Sequence, residues 1–188
     1  MVPNLVEDGH ACSKQRPLEA VKTNAWDIRP APVHSPEAAR IIREYVTDVA
    51  ARYHGRPATR AEVDAELAAD PSDDLAPPGG RFWLAHRGGA PVGCVAIRLI
   101  APGVAELKRM YVRPEARGSG CGAALVAAAE RGAVQLGARV VRLDTRHDLV
   151  EARRLYVRSG YAEIPAYNDS RWAQRWYEKR LAAGPPVR

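Results

Sequence analysis

Alternating glycines between a predicted strand and a predicted helix give residues 118–122 the pattern of a phosphate-binding loop. This segment reads Gly118-Ser119-Gly120-Cys121-Gly122. Glycine lets the backbone approach a ligand closely and adopt angles that other residues avoid. The first turn of a helix presents N–H groups without partners and carries a partial positive charge. Together these features predict a backbone cradle for a pyrophosphate.

The surroundings of the glycines narrow the type of phosphate ligand. A Walker loop would end in Gly-Lys-Ser or Gly-Lys-Thr, which this segment lacks. The dinucleotide fingerprint G-x-G-x-x-A fits residues 118–123, and Asp144 ends the next predicted strand, where a ribose-binding acid would lie. Three features oppose an NAD-binding unit: a spacer over residues 113–116, an antiparallel meander before the loop, and too little chain after Asp144 for a second half. NAD binding is therefore the weaker alternative.

Helix signals come first among the elements that must position this loop. Ser35 and Pro36 predict a helix start, because serine caps helices and proline suits the first helical position. Apolar residues at helical spacing carry this helix to about residue 53. Thr59 and Glu62 form a capping box for a second, shorter helix.

Alternating apolar runs and turn residues then predict strands on both sides of the glycine loop. Glycine and proline turns separate the runs, as in β-hairpins. The predicted strands cover residues 25–29, 81–87, 91–100, 104–112, 140–144, 161–164 and 172–181. Two further helices are predicted over residues 123–136 and from residue 149 to Gly160. Asp148 is predicted to cap the second of these helices.

Length and composition indicate a single folded domain. The chain has 188 residues, of which 46% are hydrophobic, enough for one core of useful size. We expect a flexible leader over residues 1–23, one domain over 24–182 and a frayed tail over 183–188. A long apolar run and the order of a signal peptide are both absent from the sequence, so we expect a cytoplasmic protein without a membrane segment.

Charge and cysteine usage argue against nucleic-acid and metal chemistry. The formal net charge is +6, but the arginines are dispersed and no basic run or nucleic-acid-binding pattern occurs. Cys12, Cys94 and Cys121 have no paired spacing, and no His, Cys or Asp cluster has the spacing of metal ligands. We therefore predict no metal and no nucleic-acid partner.

Three segments resemble the GNAT superfamily of N-acetyltransferases. Arg117-x-x-Gly120-x-Gly122 matches the R/Q-x-x-G-x-G/A acetyl-CoA signature of that family. Residues 106–114 look like its fourth strand, and Ala152-x-x-Leu155-Tyr156-x-x-x-Gly160-Tyr161 resembles its helix-and-turn signature. The resemblance covers residues 81–181 by motif and 25–70 by element order. It implies an α/β (α+β) GNAT fold: a mixed sheet of about six to seven strands, an antiparallel N-terminal meander, splayed strands four and five, and about four helices.

The resemblance also implies which residues bind acetyl-CoA as cosubstrate. Backbone N–H groups of the glycine loop would hold the pyrophosphate, and main-chain groups of Met110 and Val112 would meet the pantetheine arm as an added strand does. The implied loop residues are Arg117, Gly118, Ser119, Gly120, Gly122 and Ala123. Leu149 departs from the family pattern, since many members have asparagine there, and this puts one cofactor contact in doubt.

Acetyl transfer from a thioester to an amine needs a base for the amine proton and an acid for the departing thiolate. Tyr156 lies where family members carry the tyrosine that protonates the thiolate. Glu106 is the best base candidate, directly or through water, because histone-acetylating members place a glutamate at the same distance before the signature arginine. Strand alternation predicts that Glu106, Lys108, Met110 and Val112 share one face.

The acceptor is left open by the sequence. A small-molecule amine and a protein amine both fit the expected chemistry. The acceptor pocket should be formed by the two N-terminal helices, the strand over residues 104–112 and the loop over 165–172. Its expected lining residues are Tyr45, Tyr53, Asp169 and Trp172. A non-catalytic CoA-binding module is the alternative function, and a homodimer is possible because relatives commonly dimerise.

Overall fold

The computed structural model describes residues 26–182. The predicted leader over 1–23 and the predicted tail over 183–188 lie outside the described residues. The described part contains one seven-stranded sheet and four α-helices. This agrees with the fold class that the sequence predicts.

The sheet has the strand order β1-β2-β3-β4-β5-β7-β6. Its neighbours pair antiparallel except β4 and β5, which are parallel and are joined by a helical crossover. The strands are β1 (Asp27–Pro30), β2 (Gly80–Arg87), β3 (Ala90–Ala101), β4 (Val104–Val112), β5 (Val140–Thr145), β6 (Ala162–Ile164) and β7 (Arg175–Arg180). The helices are α1 (Pro36–His54), α2 (Arg60–Ala69), α3 (Cys121–Gln135) and α4 (Val150–Arg158).

Two hydrophobic cores lie on opposite faces of the sheet. One core joins α3 and Tyr156 of α4 to inward-facing residues of the strands, among them Leu107 and Leu143. The other joins α1 and α2 to the opposite face, which includes Leu84 and Tyr111. Strand alternation therefore decides on which side of the sheet each polar side chain emerges.

The two parallel strands separate soon after they meet. Their pairing covers Val104 with Val140, Ala105 with Val141, and Glu106 with Arg142. Beyond these pairs β4 runs on to Val112 beside β3, whereas β5 runs on to Thr145 beside β7. A gap therefore opens between β4 and β5, and the backbone of β4 that borders it has no strand partner on that side within the described residues.

A β-bulge at Arg109 corrects the predicted alternation along β4. Arg109 has a φ of 54°, and the pairing with β3 shifts register between Cys94 and Ala96. An extra residue in one strand reverses the side to which later residues point. Met110 consequently packs against the α3 core together with Val112, so the prediction that these two residues share a face with Glu106 and Lys108 is wrong.

The predicted helix starts are confirmed for the first two helices but not for α4. The Ser35 side chain accepts a hydrogen bond from the N–H of Ala38, and Thr59 forms a full capping box with Glu62. At α4 the N-cap residue is Leu149, which has no side-chain cap. The predicted cap Asp148 instead accepts two bonds from Arg146, each of 2.8 Å, and this charge-assisted pair replaces the weaker capping bond.

Candidate functional site

The glycine loop has the backbone geometry of an open cradle. Gly118 and Gly120 have φ values of 74° and 85°, a region that other residues avoid. A Cβ added at either position would meet no atom within 4 Å, so the space above the loop is free. Gly118 and Gly120 thus present backbone without side chains to the place where an anion would lie.

The start of α3 adds unpaired donors to this cradle. The first bond of the helix runs from the N–H of Ala124 to the carbonyl of Gly120, at 3.1 Å. The N–H groups of residues 121–123 precede that bond and have no helical partner. The first turn contains no acidic residue, and burial raises the pKa of Cys121 to about 11. The thiol therefore stays protonated at neutral pH. The start of α3 thus carries no negatively charged side chain that would repel an anion.

Side chains from distant elements fix the loop in place. Arg117 donates from Nε to the carbonyl of Val112 at 2.9 Å and from Nη2 to Asp48 of α1 at 3.0 Å. The indole N–H of Trp26 donates to the carbonyl of Ser119 at 3.3 Å. The signature arginine therefore links the loop to β4 and α1, whatever further contact it makes with a ligand.

Gly122 brings the loop close to the gap between the strands. A Cβ there would lie 3.1 Å from Cδ2 of Leu155 and 3.4 Å from Cε of Met110. Any larger residue at this position would require the Leu155 side chain to move by a few tenths of an ångström. The predicted cofactor residues Met110 and Val112 thus lie beside the cradle, and the main-chain edge of β4 leads from the cradle along the gap.

Tyr156 lies on the side of the sheet that α3 and α4 cover. Its side chain is buried and packs edge-on against Tyr161, with ring centroids 6.0 Å apart. Burial raises the pKa of Tyr156 well above its ordinary value, and the nearby Tyr45 and Asp144 add to the effect. The phenol therefore keeps its proton at neutral pH and can act as a proton donor.

Glu106 lies at the last position of β4 that pairs with β5 and is only 2% exposed. Its Oε2 accepts from Nε and Nη2 of Arg98 at 2.8 and 2.6 Å. Its Oε1 accepts from the hydroxyl of Tyr167 at 2.8 Å and from Nδ2 of Asn168 at 3.2 Å. Both carboxylate oxygens are thus occupied by protein donors, and the charge is neutralised by Arg98.

Asn168 joins Glu106 to a second carboxylate. The indole N–H of Trp176 donates to Oδ1 of Asn168 at 2.8 Å, which fixes the orientation of the amide. The Nδ2 of Asn168 then donates both to Glu106 and to Oδ2 of Asp144, the latter at 2.8 Å. Burial raises the pKa of Asp144 above its ordinary value.

A small aromatic cavity opens on the α1 and α2 side of the sheet. Its volume is about 100 Å³. Three of the predicted acceptor residues, Tyr45, Tyr53 and Trp172, line it, and Tyr53 and Trp172 have ring centroids 4.4 Å apart. Asp169, predicted with them, is exposed and is not among the lining residues.

The charged groups around this cavity are already paired within the protein. Asp70 accepts from Nη1 of the buried Arg109 at 2.6 Å, and Arg146 pairs with Asp148. Glu66 accepts from the indole N–H of Trp172 at 2.9 Å. The cavity therefore offers mainly aromatic and aliphatic surface to a ligand.

Sequence reasoning missed the network around Glu106. Arg98 has no predicted role, Tyr167 and Asn168 enter the sequence analysis only as part of the loop over 165–172, and Asp144 enters it only as a possible ribose-binding acid. Their strands and loop are far apart in sequence, and only the strand order places them together. In the described part of the chain no group of His, Cys, Asp and Glu is arranged to hold a metal ion. None of the described helices combines the length and the apolar character needed to cross a bilayer.

Comparison with known proteins identifies close similarity to one family. The chain matches the Acetyltransferase (GNAT) family over residues 43–161. It is 36% identical over 129 residues to an uncharacterized N-acetyltransferase of Schizosaccharomyces pombe, a match that covers 68% of this chain and 76% of that protein. It is 33% identical over 95 residues to the aminoalkylphosphonate N-acetyltransferase of Salmonella typhimurium, covering 48% of this chain and 62% of that enzyme.

Solved structures show the same fold. The PaiA N-acetyltransferase of Thermoplasma acidophilum, solved in complex with coenzyme A, superposes with a TM-score of 0.63. The two chains are 18% identical, and the superposition covers 84% of this chain and 99% of that one. At this identity the likeness establishes the architecture alone.

Proposed function

Because this chain belongs to the acetyltransferase (GNAT) family, we propose that it transfers the acetyl group of acetyl-CoA to a primary amine in a ternary complex. The observation that carries the proposal is the continuity between the glycine cradle and the gap between β4 and β5. The cradle offers backbone donors for a pyrophosphate, and the unpaired edge of β4 offers main-chain groups for an extended chain. A phosphate joined to a long, amide-containing arm fits this path.

The donor-side residues of the proposal are those that border this path. The backbone N–H groups of Gly118, Ser119, Gly120, Gly122 and Ala123 would bind the pyrophosphate, with Arg117 holding the loop. Met110 and Val112 would offer main-chain groups to the pantetheine arm. The Val112 carbonyl already accepts a bond from Arg117, but a carbonyl oxygen has a second lone pair for a further donor.

We propose Tyr156 as the acid that protonates the departing thiolate. Its raised pKa keeps the phenol protonated at neutral pH, so that a proton is available when the thiolate departs. Glu106 is proposed to assist proton removal from the amine through its hydrogen-bonded neighbours. Its own oxygens already accept from Arg98, Tyr167 and Asn168.

The aromatic cavity is the proposed site for the body of the acceptor. Its small volume favours a small-molecule amine over a protein amine. The relative from Salmonella typhimurium is named for aminoalkylphosphonate, which is an example of a small amine acceptor. In this chain the arginines of the cavity are already paired, so we expect amines with an uncharged, apolar body to be preferred.

Two measurements test the proposed function. Acetyl-CoA at a concentration 100-fold above its dissociation constant would add about 2.7 kcal/mol to the free energy of unfolding, which a thermal-shift assay would detect, whereas NAD should add nothing. A panel of primary amines would then be screened by release of the CoA thiol. A protein that is stabilised by CoA but acetylates no amine would be a CoA-binding module, and one stabilised only by NAD would contradict both readings.

A further inference from the structure

We propose that Asp144 is a further catalytic residue, the group that accepts the proton of the acceptor amine, with Glu106 as the residue that positions it. This inference rests on the proposed function, and no motif or relative assigns it. It follows from where β5 diverges, from an asymmetry between two linked carboxylates, and from the position of Tyr156.

Asp144 lies on β5 beyond the residues that pair with β4. Arg142 makes the last pair with β4, and Asp144 follows it by one full alternation, on the part of β5 that borders the gap. Val141 and Leu143 face the α3 core, so Asp144 emerges on the opposite face, towards α1, α2 and the loop over residues 165–172. Glu106 emerges on that same face, because its neighbours Ala105 and Leu107 also face the α3 core.

Of the two linked carboxylates, Glu106 and Asp144, only Asp144 can accept further hydrogen bonds. Every oxygen of Glu106 receives two donors, from Arg98 on one side and from Tyr167 and Asn168 on the other. Asp144 receives one side-chain donor from the described residues, Asn168 at Oδ2. A carboxylate has about four lone-pair sites, so Oδ1 of Asp144 is available to an amine.

The proposed acid, Tyr156, and the proposed base, Asp144, lie on opposite faces of the sheet. Tyr156 belongs to the α3 and α4 side, whereas Asp144 belongs to the α1 and α2 side. The charge of Asp144 nevertheless raises the pKa of both Tyr156 and Tyr45. A thioester lying in the gap would then have the proton donor on one side and the amine, with its base, on the other.

Each element packed around Asp144 supplies a group that affects its charge. Burial is the main cause that raises the pKa of its carboxyl. The N–H bond from Asn168 and the charge of Lys108 on β4 lower it, while Glu106 and Asp70 raise it. Tyr45 of α1 and Tyr156 of α4 are neutral at physiological pH and complete the surroundings.

The proposed step balances in atoms and protons. The neutral amine nitrogen attacks the thioester carbonyl carbon, and the C–N bond forms as the carbonyl becomes an oxyanion. The attacking nitrogen then carries an extra proton, which passes to Oδ1 of Asp144. The C–S bond breaks as the carbonyl re-forms, and the thiolate takes the phenolic proton of Tyr156. Afterwards Asp144 loses its proton to solvent and Tyr156 regains one.

The experiment compares the full-length wild type with Asp144→Asn, Asp144→Glu and Glu106→Gln. Asp64→Asn is the matched control, because Asp64 lies exposed on α2 and pairs with Arg43. With an amine that the wild type acetylates, kcat and kcat/KM would be measured across the pH range in which a carboxyl titrates. The rise in melting temperature caused by CoA would be recorded for each variant.

For Asp144→Asn we expect kcat to fall by about 100-fold or more, the range for loss of a general base. Protonation of the amine itself lowers kcat/KM as the pH falls, and the additional fall in the carboxyl range, which reports protonation of the base, should vanish in this variant. Asp144→Glu and Glu106→Gln should keep the low-pH fall, with reduced rates, because each retains a carboxylate at the reacting position. The control should match the wild type, and all variants should keep the CoA-induced rise in melting temperature.

Two results would overturn the assignment while leaving the proposed function intact. One is an active wild type whose Asp144→Asn variant keeps both its rate and its low-pH fall. The other is loss of the low-pH fall in Glu106→Gln alone, which would identify Glu106 as the base. A wild type that binds CoA but acetylates no amine would instead contradict the proposed function, and the role of Asp144 would be rejected with it.

Discussion

At the scale of single residues, the site separates groups that hold a charge from groups that can move a proton. Glu106 is nearly inaccessible and neutralised by Arg98, whereas Asp144 and Tyr156 keep titratable groups at the gap. Burial disfavours the charged form of an acid, and it raises the pKa of both of these residues. The same physical cause therefore makes the carboxylate of Asp144 a stronger base than an exposed one and keeps the proton on Tyr156.

Replacement of Tyr156 by phenylalanine should lower kcat by about 100-fold, because the thiolate loses its proton donor. Binding of CoA should be unchanged, since the ring and its packing remain. Tyr161→Phe is the matched control: that hydroxyl is also buried and has no hydrogen-bond partner among the described residues. Steady-state kinetics on both variants would check this, and equal losses in the two would contradict the acid role of Tyr156.

Replacement of Asp144 by asparagine should stabilise the fold at neutral pH while it removes activity. A carboxyl whose pKa is higher in the folded chain than in the unfolded chain binds its proton more firmly when folded. Its ionisation therefore costs stability once the pH rises above the unfolded value of about 4, and the cost is complete above the folded pKa. Asparagine carries no such charge, and its amide oxygen can still accept the bond from Asn168.

Thermal unfolding of wild type and Asp144→Asn at several pH values measures this effect. The melting temperature of the variant should exceed that of the wild type at pH values near 7. The difference should shrink as the pH falls through the raised pKa of Asp144. A variant that is less stable than the wild type at neutral pH would show that the carboxylate is a stabilising group, contrary to its buried position.

At the scale of elements, the bulge in β4 decides which side chains reach the acceptor side. It turns Tyr111 towards α1 and Met110 towards α3. It also directs the neighbouring Lys108 and Arg109 to the same carboxylate, Asp70 at the end of α2. These two ion pairs hold the bulged part of β4 against the end of α2, the helix that borders the cavity.

The positive φ of Arg109 predicts an unusual order of stability for two small substitutions. Both Arg109→Ala and Arg109→Gly remove the buried guanidinium, but alanine retains the cost of a left-handed conformation, roughly 1–2 kcal/mol. We expect the glycine variant to be the more stable by about 1 kcal/mol. At the neighbouring Lys108, whose φ is not positive, the order should reverse, since glycine weakens an ordinary strand by roughly 0.5–1 kcal/mol. Denaturant unfolding of the four variants tests this, and the same order at both positions would exclude backbone strain as the cause.

At the scale of the whole molecule, the sheet separates two layers that both contribute to the site. The layer of α3 and α4 supplies the glycine cradle and Tyr156, and the layer of α1 and α2 supplies the cavity. The gap between β4 and β5 lies between these two layers. The distance between helix and sheet in the α3 layer depends on Gly132, where an added Cβ would lie 2.2 Å from Cη2 of Trp83.

Substitution of Gly132 by alanine should therefore destabilise the protein although alanine is the better helix former. Overpacking of a filled core costs typically 1–3 kcal/mol, which exceeds the roughly 1 kcal/mol that alanine gains in a helix. We expect a net loss of about 1–2 kcal/mol in the free energy of unfolding. Arg131→Ala, at the exposed neighbouring position, should change stability by less than about 0.5 kcal/mol. An alanine variant as stable as the wild type would mean that Trp83 moves aside without cost.

The sequence by itself determined the elements and the conformation of the glycine loop. Helix caps, turn residues and apolar periodicity are local signals, so they predicted the meander, the helices and the glycine loop close to their observed bounds. The loop and Tyr156 could be proposed as site residues from the sequence because their motifs are contiguous and depend on backbone conformation and helix starts. Asp148 does not cap α4, and the cause is also local: its carboxylate pairs with Arg146, two residues earlier in the chain.

Only the tertiary structure decided which polar groups meet at the gap. Glu106, Asp144 and Asn168 come from β4, β5 and a late loop, and Arg98 comes from β3. No periodicity relates them; the strand order and the short pairing of β4 with β5 place them together. The bulge at Arg109 was equally invisible, because a one-residue shift is set by pairing with β3 and by the bond to Asp70. Local propensity fixes what each segment forms, whereas contacts between distant segments fix which side chains share a site.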